Sequence, residues 1–132
     1  MMKLVQCNSS FWEFVRNLRN DPNNLHGFVN NKYITIEDQI TYMTKYNYNY
    51  YICLDDHDVP LGFIGSIDDD IRICVENNKK NQGIGTFMLK EFLMIQQKNT
   101  SLIAKVKIKN IMSQKLFEKV GFRPTFIIYT KE

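Results

Sequence analysis

The sequence of 132 residues has few cysteines, two histidines and three prolines, and the cysteine pattern excludes two classes of protein. Cys7, Cys53 and Cys74 are odd in number, far apart and never spaced Cys-x-x-Cys. This pattern argues against a disulfide framework and against a zinc site. We therefore expect reduced thiols, as in a cytoplasmic protein, and no bound metal.

The sequence also lacks a long apolar run and a strong charge of either sign. No stretch approaches the length that spans a bilayer, and residues 1–5 do not resemble the apolar part of a signal peptide. The net charge of +3 is mild and no long basic run is present, so neither nucleic acid nor a membrane is an expected partner. A hydrophobic content of 44% with 23% charged residues predicts one globular domain over residues 1–132.

Hydrophobic patterning in the first third predicts a strand followed by two helices. The strand covers residues 3–7, and Ser10 and Glu13 have the spacing of a capping box ahead of an amphipathic helix at 11–19. Thr35 is expected to cap the second helix. The predicted buried face of that helix holds apolar residues at helical spacing: Ile36, Ile40 and Met43.

The rest of the chain predicts three strands and then alternating helices and strands. Short turns, including a tight hairpin at Asp68–Asp70, favour an antiparallel meander. The alternation from Ala104 to Lys109 predicts a strand with one basic face, parallel to the strand before the preceding helix. The predicted segments are strands at 48–54, 61–67, 71–75, 102–109 and 122–130, and helices that begin at Ile84 and after Asn110. In the second of these helices, Met112, Leu116 and Val120 form the predicted core side and Gly121 the end. The order βααβββαβαβ describes an α/β sheet of mixed direction.

A polar loop with two glycines joins the strand at 71–75 to the helix that begins at Ile84. No Ser, Thr or Asp precedes this helix, so its first N–H groups lack a side-chain cap and the positive end of the helix dipole lies behind them. Gly83 and Gly85 allow a ligand to approach the backbone closely. The loop therefore predicts a phosphate or pyrophosphate site, although a ligand-free turn remains the alternative. No Lys precedes Thr86 and no third glycine stands at Met88, so neither the P-loop nor the dinucleotide pattern fits.

Two motifs resemble those of the GCN5-related N-acetyltransferases (GNAT family). Lys80–Gly85 is similar to the family's acetyl-CoA loop, Arg/Gln-x-x-Gly-x-Gly/Ala, with Lys80 in place of Arg or Gln and Asn81 where Gly is frequent. Asn110–Phe122 is similar to the second signature, Asn-x-x-Ala/Ser-x-x-Leu-Tyr-x-x-x-Gly-Phe. The resemblance implies the GNAT fold, a mixed and mostly antiparallel sheet with splayed central parallel strands. It also implies an N-acetyltransferase with acetyl-CoA as cosubstrate.

The resemblance implies where acetyl-CoA binds. Its arm would enter between the two central strands, and one strand N–H would stabilise the oxyanion that forms on the thioester. Amides of the glycine loop would hold the diphosphate, Lys80 would supply a cation, and Asn110 would contact the arm while also capping its helix. The implied cofactor-binding residues are Ile73, Cys74, Val75, Lys80, Asn81, Gln82, Gly83, Ile84, Gly85, Thr86, Asn110 and Phe117.

The catalytic candidates are Asp69, His26 and Ser113. Phe117 stands where the family has the tyrosine that usually serves as acid, and it cannot donate a proton, so Ser113 one turn earlier is a substitute candidate. A carboxylate near the start of the strand at 71–75 is the family's frequent base, and Asp69 shares strand parity with Ile71. His26 has a suitable pKa and lies in the segment that forms the acceptor wall in the family. The alternatives are a packing role for Ser113, a solvated turn for Asp69 and a surface position for His26.

The acceptor side loosely resembles acetyltransferases that modify amino sugars. Arg16–Asn20 followed by Ile36-x-x-x-Ile40 is similar to enzymes of the pseudaminic-acid pathway, which act on nucleotide-linked amino sugars. The side chains that would suit a nucleotide are Trp12, Arg16, Arg19, Tyr48 and Tyr50. Two alternatives stay open: a protein or peptide acetyltransferase with an acidic groove at Asp55–Asp58 or Asp68–Asp70, and a catalytically weak CoA-binding module. We expect a monomer or a homodimer.

Overall fold

The computed structural model describes residues 1–25, 28 and 32–131, and a sheet of four antiparallel strands lies at its centre. The strands follow the order β1-β2-β3-β4, with β1 at Lys3–Gln6, β2 at Tyr50–Leu54, β3 at Pro60–Ile67 and β4 at Asp70–Val75. The helices are α1 at Trp12–Asn20, α2 at Pro22–Leu25, α3 at Ile36–Tyr46, α4 at Ile84–Ile95 and α5 at Ile111–Lys119. No helix among the described residues is long and apolar enough to cross a membrane.

The sheet separates two hydrophobic clusters, because side chains alternate between its faces along each strand. The cluster under α1 and α3 includes Val15, Leu18, Met43, Ile52 and Phe63. The cluster under α4 and α5 includes Ile64, Ile71, Met88, Phe92 and Phe117. The three cysteines are buried and form no disulfide, so the prediction of free thiols is confirmed.

The start of α1 differs from the prediction. The expected capping box at Ser10 and Glu13 is wrong, because Asn8 caps a short 3-10 turn at Ser9–Phe11 by accepting the N–H of Ser10. The helix then begins without a side-chain cap. Glu13 instead pairs with Arg16 at 2.8 Å.

Two local predictions are confirmed. The hydroxyl of Thr35 accepts the N–H of Asp38 at 3.0 Å, and the carboxylate of Asp38 accepts the N–H of Thr35 at 3.2 Å, which completes a capping box on α3. Asp68 and Asp69 have φ values of 51° and 67°. Positive φ at both central residues matches the twist of a two-residue hairpin between β3 and β4.

The buried face of α3 is predicted correctly at Met43 and wrongly at the two isoleucines. Met43 is fully buried, whereas Ile36 and Ile40 are 55% and 51% exposed. Gln39 is buried instead, because its Nε2 donates to the carbonyl of Trp12 at 2.7 Å. The spacing of the apolar residues placed Gln39 on the solvent side of α3, but this polar side chain instead joins α3 to α1.

The predicted mixed sheet is only partly present. Ile103 makes one parallel bridge to Asp70, which confirms the predicted direction of the chain after α4. Beyond this bridge, residues 104–109 leave β4, and residues 122–130 join no strand of the described chain. Alternation indicates which face of a segment is apolar but not which strand satisfies its backbone groups, so these two strand predictions are wrong.

Side-chain burial in the last third follows the predicted pattern in part. Ala104 and Val106 pack onto the cluster under α4 and α5, as do the α5 core positions predicted at Leu116 and Val120. Ile108 and Met112 are exposed, contrary to expectation. The buried residue of α5 is Phe117, which faces the cluster together with its neighbour Leu116.

Both ends of α5 agree with the prediction. The Oδ1 atom of Asn110 accepts the N–H of Ser113 at 3.2 Å. Gly121 has a φ of 103°, and the N–H of Phe122 donates to the carbonyl of Phe117 at 3.0 Å. This bond and the ring contact between Phe117 and Phe122, with centroids 5.3 Å apart, form a Schellman ending.

Candidate active site

The turn before α4 presents backbone N–H groups that lack a side-chain cap. Gly83 precedes the helix with a φ of 79° and provides no side chain to cap it. Because a helix cannot pair its first N–H groups internally, those of residues 83–86 are available to a ligand. Asn81 also has a positive φ of 65°, so it adopts the backbone conformation of the glycine that is frequent at this position in similar loops. The turn therefore suits an anion at the positive end of the helix dipole.

One edge of β4 has no strand partner among the described residues beyond the bridge to Ile103. The N–H of Ile71 donates to Ile103 at 2.9 Å, which fixes the direction of its backbone groups. Backbone groups alternate sides along a strand, so those of Ile73 and Val75 point to the same edge, whereas those of Cys74 point to β3. The space beside this edge, next to the backbone N–H groups of Ile73 and Val75, is termed the gap along β4. This orientation does not favour the predicted backbone contact of Cys74.

The two motifs that resemble the GNAT signatures meet in space. A Cβ atom placed on Gly85 would lie 3.4 Å from Cδ2 of Leu116 and 3.8 Å from Cγ2 of Val75. Gly85 thus lies where β4, α4 and α5 converge. The glycine turn and α5 together border one end of the gap along β4.

The predicted contacts on α5 have different surroundings. Asn110 uses Oδ1 to cap the helix, and its Nδ2 donates to no described residue, so this amide is free to contact a ligand. Phe117 is only 6% exposed and packs against Phe122, so the position of the usual tyrosine lies in the core. Ser113 is half-buried one turn earlier and its hydroxyl bonds to no described group.

Lys80 has a partner that the sequence did not reveal. Its Nζ donates to Oδ1 of Asn24 at 2.6 Å. Asn24 is 4% exposed, and its Nδ2 donates to the carbonyl of Leu18 at 3.0 Å. Lys80 is therefore anchored between the glycine turn and the end of α1. A single Asn in the short helix α2 carries no sequence signal, and only the fold brings it to Lys80.

The carboxylates near the start of β4 are hydrogen-bonded or ion-paired. Oδ1 of Asp69 accepts Nδ2 of Asn99 at 2.9 Å, at the closed end of the gap. Oδ2 of Asp70 lies 3.4 Å from Nε of Arg72 and 3.8 Å from Nζ of Lys105. Asp69 is therefore oriented by an amide and Asp70 by two cations. His26, the other candidate base, lies outside the described residues.

Most of the residues suggested for a nucleotide are engaged elsewhere. Arg16 donates to Glu13 and to the carbonyl of Ile34, and Trp12 donates to Asn47. The hydroxyl of Tyr50 is buried against Tyr42 at 2.6 Å, and burial raises its pKa above the ordinary value. Tyr48 is 80% exposed. Of the two arginines, Arg19 has a buried Nε without a hydrogen-bond partner among the described residues, and its guanidinium carbon lies 5.1 Å from the ring centroid of Phe28.

Cys74 belongs to the core under α1 and α3. Burial raises the pKa of its thiol to about 12, although the charges of Lys80 and Arg19 act in the opposite direction. A thiol with this pKa is neutral at physiological pH, so Cys74 does not act as a nucleophile.

Two features that can mark active sites do not do so here. No group of His, Cys, Asp or Glu within the described chain could hold a metal ion. A surface depression of about 510 Å³ is lined by Ile95–Asn99 at the C-terminal end of α4. The helix, about 18 Å long, separates it from the glycine turn.

Comparison with known proteins identifies a family. A family model described as an acetyltransferase (GNAT) domain matches residues 46–124, more than half of the chain. Comparison with curated proteins gives no match.

Solved structures share the fold at low sequence identity. Spermidine N-acetyltransferase from Vibrio cholerae, in complex with CoA and spermine, has a TM-score of 0.76 at 15% identity, over 91% of this chain and 79% of that chain. The yncA protein of Salmonella typhimurium with acetyl-CoA has a TM-score of 0.74 at 13% identity, over 92% and 79%. An aminoglycoside acetyltransferase in complex with coenzyme A has a TM-score of 0.73 at 14% identity, over 95% and 86%.

The residues present fit acetyl-CoA, which supplies the acetyl group as an activated thioester. The unpaired amides before α4 suit its diphosphate, and the free edge of β4 suits the amides of its arm. The family match covers both of these elements and the whole of the second motif. This chain therefore belongs to the GNAT family of acetyl-CoA-dependent N-acetyltransferases.

Proposed function

We propose that this enzyme transfers the acetyl group to the primary amine of a small molecule, with a nucleotide-linked amino sugar as a candidate acceptor. The observation that carries the proposal is the meeting of an uncapped helix N-terminus with the free edge of β4 at Ile73 and Val75. The helix N-terminus can bind an anion and the free strand edge can bind amides, and acetyl-CoA has a diphosphate and an amide-containing arm.

Each part of the site has a role in this proposal. The N–H groups of residues 82–86 bind the diphosphate, and the Nδ2 group of Asn110 contacts the arm. An N–H of Ile73 or Val75 polarises the thioester carbonyl and stabilises negative charge on its oxygen. Lys80 places a cation beside the diphosphate, in a position that Asn24 maintains.

Asp69 is the proposed general base, and His26 is the second candidate. The amine must lose a proton before it attacks, and the carboxylate of Asp69 is held by Asn99 at the closed end of the gap. Phe117 cannot return a proton to the departing thiolate, so that proton comes from Ser113 or from water.

One of the two acidic sequences that could form a peptide groove is engaged elsewhere, while Asp69 and Asp70 of the other lie at the start of β4. The acidic turn at Asp55–Asp58 uses its carboxylates locally: Asp55 accepts the N–H groups of His57 and Val59, and Asp58 pairs with Lys3 at 2.8 Å. These carboxylates are hydrogen-bonded or ion-paired and do not line the gap along β4. A catalytically weak CoA-binding module remains the third hypothesis, because Phe117 replaces the usual acid.

Acetyl transfer to a panel of amines tests the proposal. The panel contains UDP- and dTDP-linked amino sugars, free small amines and lysine-containing peptides, with thiol release and product mass as readouts. We expect turnover of small amines and a rise in Tm on addition of acetyl-CoA. Turnover confined to peptides would support the peptide hypothesis. Stabilisation by acetyl-CoA with no turnover would support the binding module.

Asp69→Asn tests the assignment of the base. The amide cannot accept a proton, so we expect kcat to fall by about 100-fold or more and its dependence on pH to change. Glu37→Gln, which removes a carboxylate from the exposed start of α3, is the matched control. An unchanged kcat across pH in Asp69→Asn would exclude Asp69 as the base.

A further inference from the structure

Arg19 holds a cation in place without an anionic partner. Its guanidinium carbon lies 5.1 Å from the ring centroid of Phe28. Its Nε is buried and has no hydrogen-bond partner among the described residues. Buried donors are nearly always satisfied, so an unpaired one requires an explanation, and a missing ligand is one such explanation.

The neighbouring cations differ from Arg19 because each already has a partner. Arg16 is bound by Glu13, Arg72 by Asp70 and Lys80 by Asn24. The charges of Asp21 and Glu76 also act on the thiol of Cys74, and neither carboxylate is among the described ion pairs of the protein. Arg19 is therefore the guanidinium of this region that remains available.

The position of Arg19 relates it to the proposed acceptor side. Arg19 follows Leu18 on α1, and Leu18, Tyr50 and Cys74 share the buried cluster under α1 and α3, so Arg19 lies at the sheet face that α1 covers. Cys74 stands between Ile73 and Val75, whose backbone groups border the gap. Phe28, which lies 5.1 Å from the guanidinium carbon of Arg19, packs on the same cluster.

A guanidinium held beside an aromatic ring is suited to one kind of ligand. Phe28 offers Arg19 no hydrogen-bond acceptor, so the fork of N–H donors remains for a carboxylate or phosphate. We infer that Arg19, held against Phe28, binds an anionic group, a carboxylate or a phosphate, on the amine that this enzyme acetylates. This inference rests on the proposed acetyl transfer. It excludes as preferred acceptors amines that carry only positive charge, such as polyamines.

Matched pairs of amines test the inference on the full chain. The pairs are glucosamine and glucosamine 6-phosphate, ethanolamine and phosphoethanolamine, and β-alaninamide and β-alanine, with spermidine as a polycation. We expect the anionic member of at least one pair to have the higher kcat/KM by about tenfold or more, since a charge-assisted bond contributes this much. The first two pairs report on phosphate and the third on carboxylate.

Substitution of Arg19 then separates binding of the anion from a structural role. In Arg19→Gln the ratio of kcat/KM between the anionic member and its partner without the anionic group should fall about tenfold, and Arg19→Lys should keep part of the preference. Lys45→Gln is the matched control, because Lys45 is an exposed cation 5.1 Å from the ring of Tyr46. The ratio of kcat/KM between the two members of each pair is measured in the wild-type protein, so this test does not depend on whether either variant folds.

Three results would overturn the inference. The first is a wild-type kcat/KM that is no higher for the anionic member of any pair than for its partner, or that is highest for spermidine, which would leave the acetyl transfer itself intact. The second is an equal loss on both members of a pair in Arg19→Gln, which would assign a structural role to the residue. The third is no turnover of any amine, which would overturn the proposed function as well.

Discussion

At the scale of single residues, backbone conformation and capping chemistry determine what the turn before α4 can bind. Thr35 and Asn110 satisfy N–H groups at the starts of α3 and α5, whereas Gly83 provides no acceptor to α4. Asn81 shows that a residue with a short amide side chain can hold the left-handed conformation at the position where glycine is frequent. The same short polar chemistry explains Asn24, whose amide joins Lys80 to the end of α1.

Gly83→Ala is expected to weaken acetyl-CoA binding. A Cβ atom on Gly83 meets nothing within 4 Å, so it would occupy the open space through which a ligand approaches the amides. The positive φ should lower the free energy of unfolding by about 1–2 kcal/mol. The dissociation constant for acetyl-CoA should rise about tenfold, as measured by calorimetry.

Gly121→Ala is the control for this substitution. Gly121 also has a positive φ and open space around its Cβ position, but it ends α5. Chemical denaturation should show a similar loss of stability in both variants. If both variants bind acetyl-CoA equally well, the glycine turn is not the diphosphate site.

At the scale of elements, each helix is positioned by a few specific polar contacts as well as by apolar burial. Gln39 joins α3 to α1 through the carbonyl of Trp12, and this contact rotates Ile36 and Ile40 toward solvent. The end of α1 is likewise joined to the segment before α3, since Asn20 donates to and accepts from the backbone of Ile34 at 2.8 Å in each direction. These contacts orient α1 and therefore Arg19.

Thr35→Ala should destabilise the protein through α3. It removes the side-chain acceptor of the capping box, and we expect the free energy of unfolding to fall by about 1 kcal/mol in urea denaturation. Thr44→Ala is the control on the same helix, because its hydroxyl bonds to the carbonyl of Ile40 inside the helix, where Ala is the better helix former. An equal loss in both variants would contradict a specific role of the cap.

At the scale of the whole molecule, the sheet divides the core and buries ionisable groups in it. Burial raises the pKa of the thiols of Cys7 and Cys53 to about 11 and that of Cys74 to about 12, and it also raises the pKa of Tyr50. All four groups are uncharged when the protein is folded at neutral pH. Their burial links the stability of the whole fold to alkaline pH.

Stability should decrease as the pH rises above about 9. A thiol ionises near pH 9.0 when it is exposed by unfolding but only near pH 12 in the folded position of Cys74, so the unfolded state releases its proton first. The stabilising effect of burial is thus complete below pH 9 and is lost as the pH rises toward 12. Denaturation midpoints between about pH 8 and pH 11 should fall, and Cys74→Ala should make the decrease shallower. The same slope in the variant and the wild type would show that Cys74 does not contribute.

Local chemistry in the sequence determined the hairpin between β3 and β4, the cap of α3, the two ends of α5 and the glycine turn. The cap at Thr35, the hairpin at Asp68 and Asp69, the uncapped start of α4 and the ending at Gly121 depend on residues within a few positions of each other. Such features are visible in the sequence because backbone preference and short-range hydrogen bonds do not require the rest of the fold.

Tertiary structure alone decided which residues meet. Lys80 reaches Asn24, Arg19 stacks on Phe28, and Gln39 replaces two isoleucines on the buried side of α3. Tertiary structure also decided that pairing with β4 ends after Ile103, because a strand forms only where a neighbouring strand pairs with its backbone groups. These contacts join residues far apart in the chain, and periodicity within one segment carries no information about a partner in another.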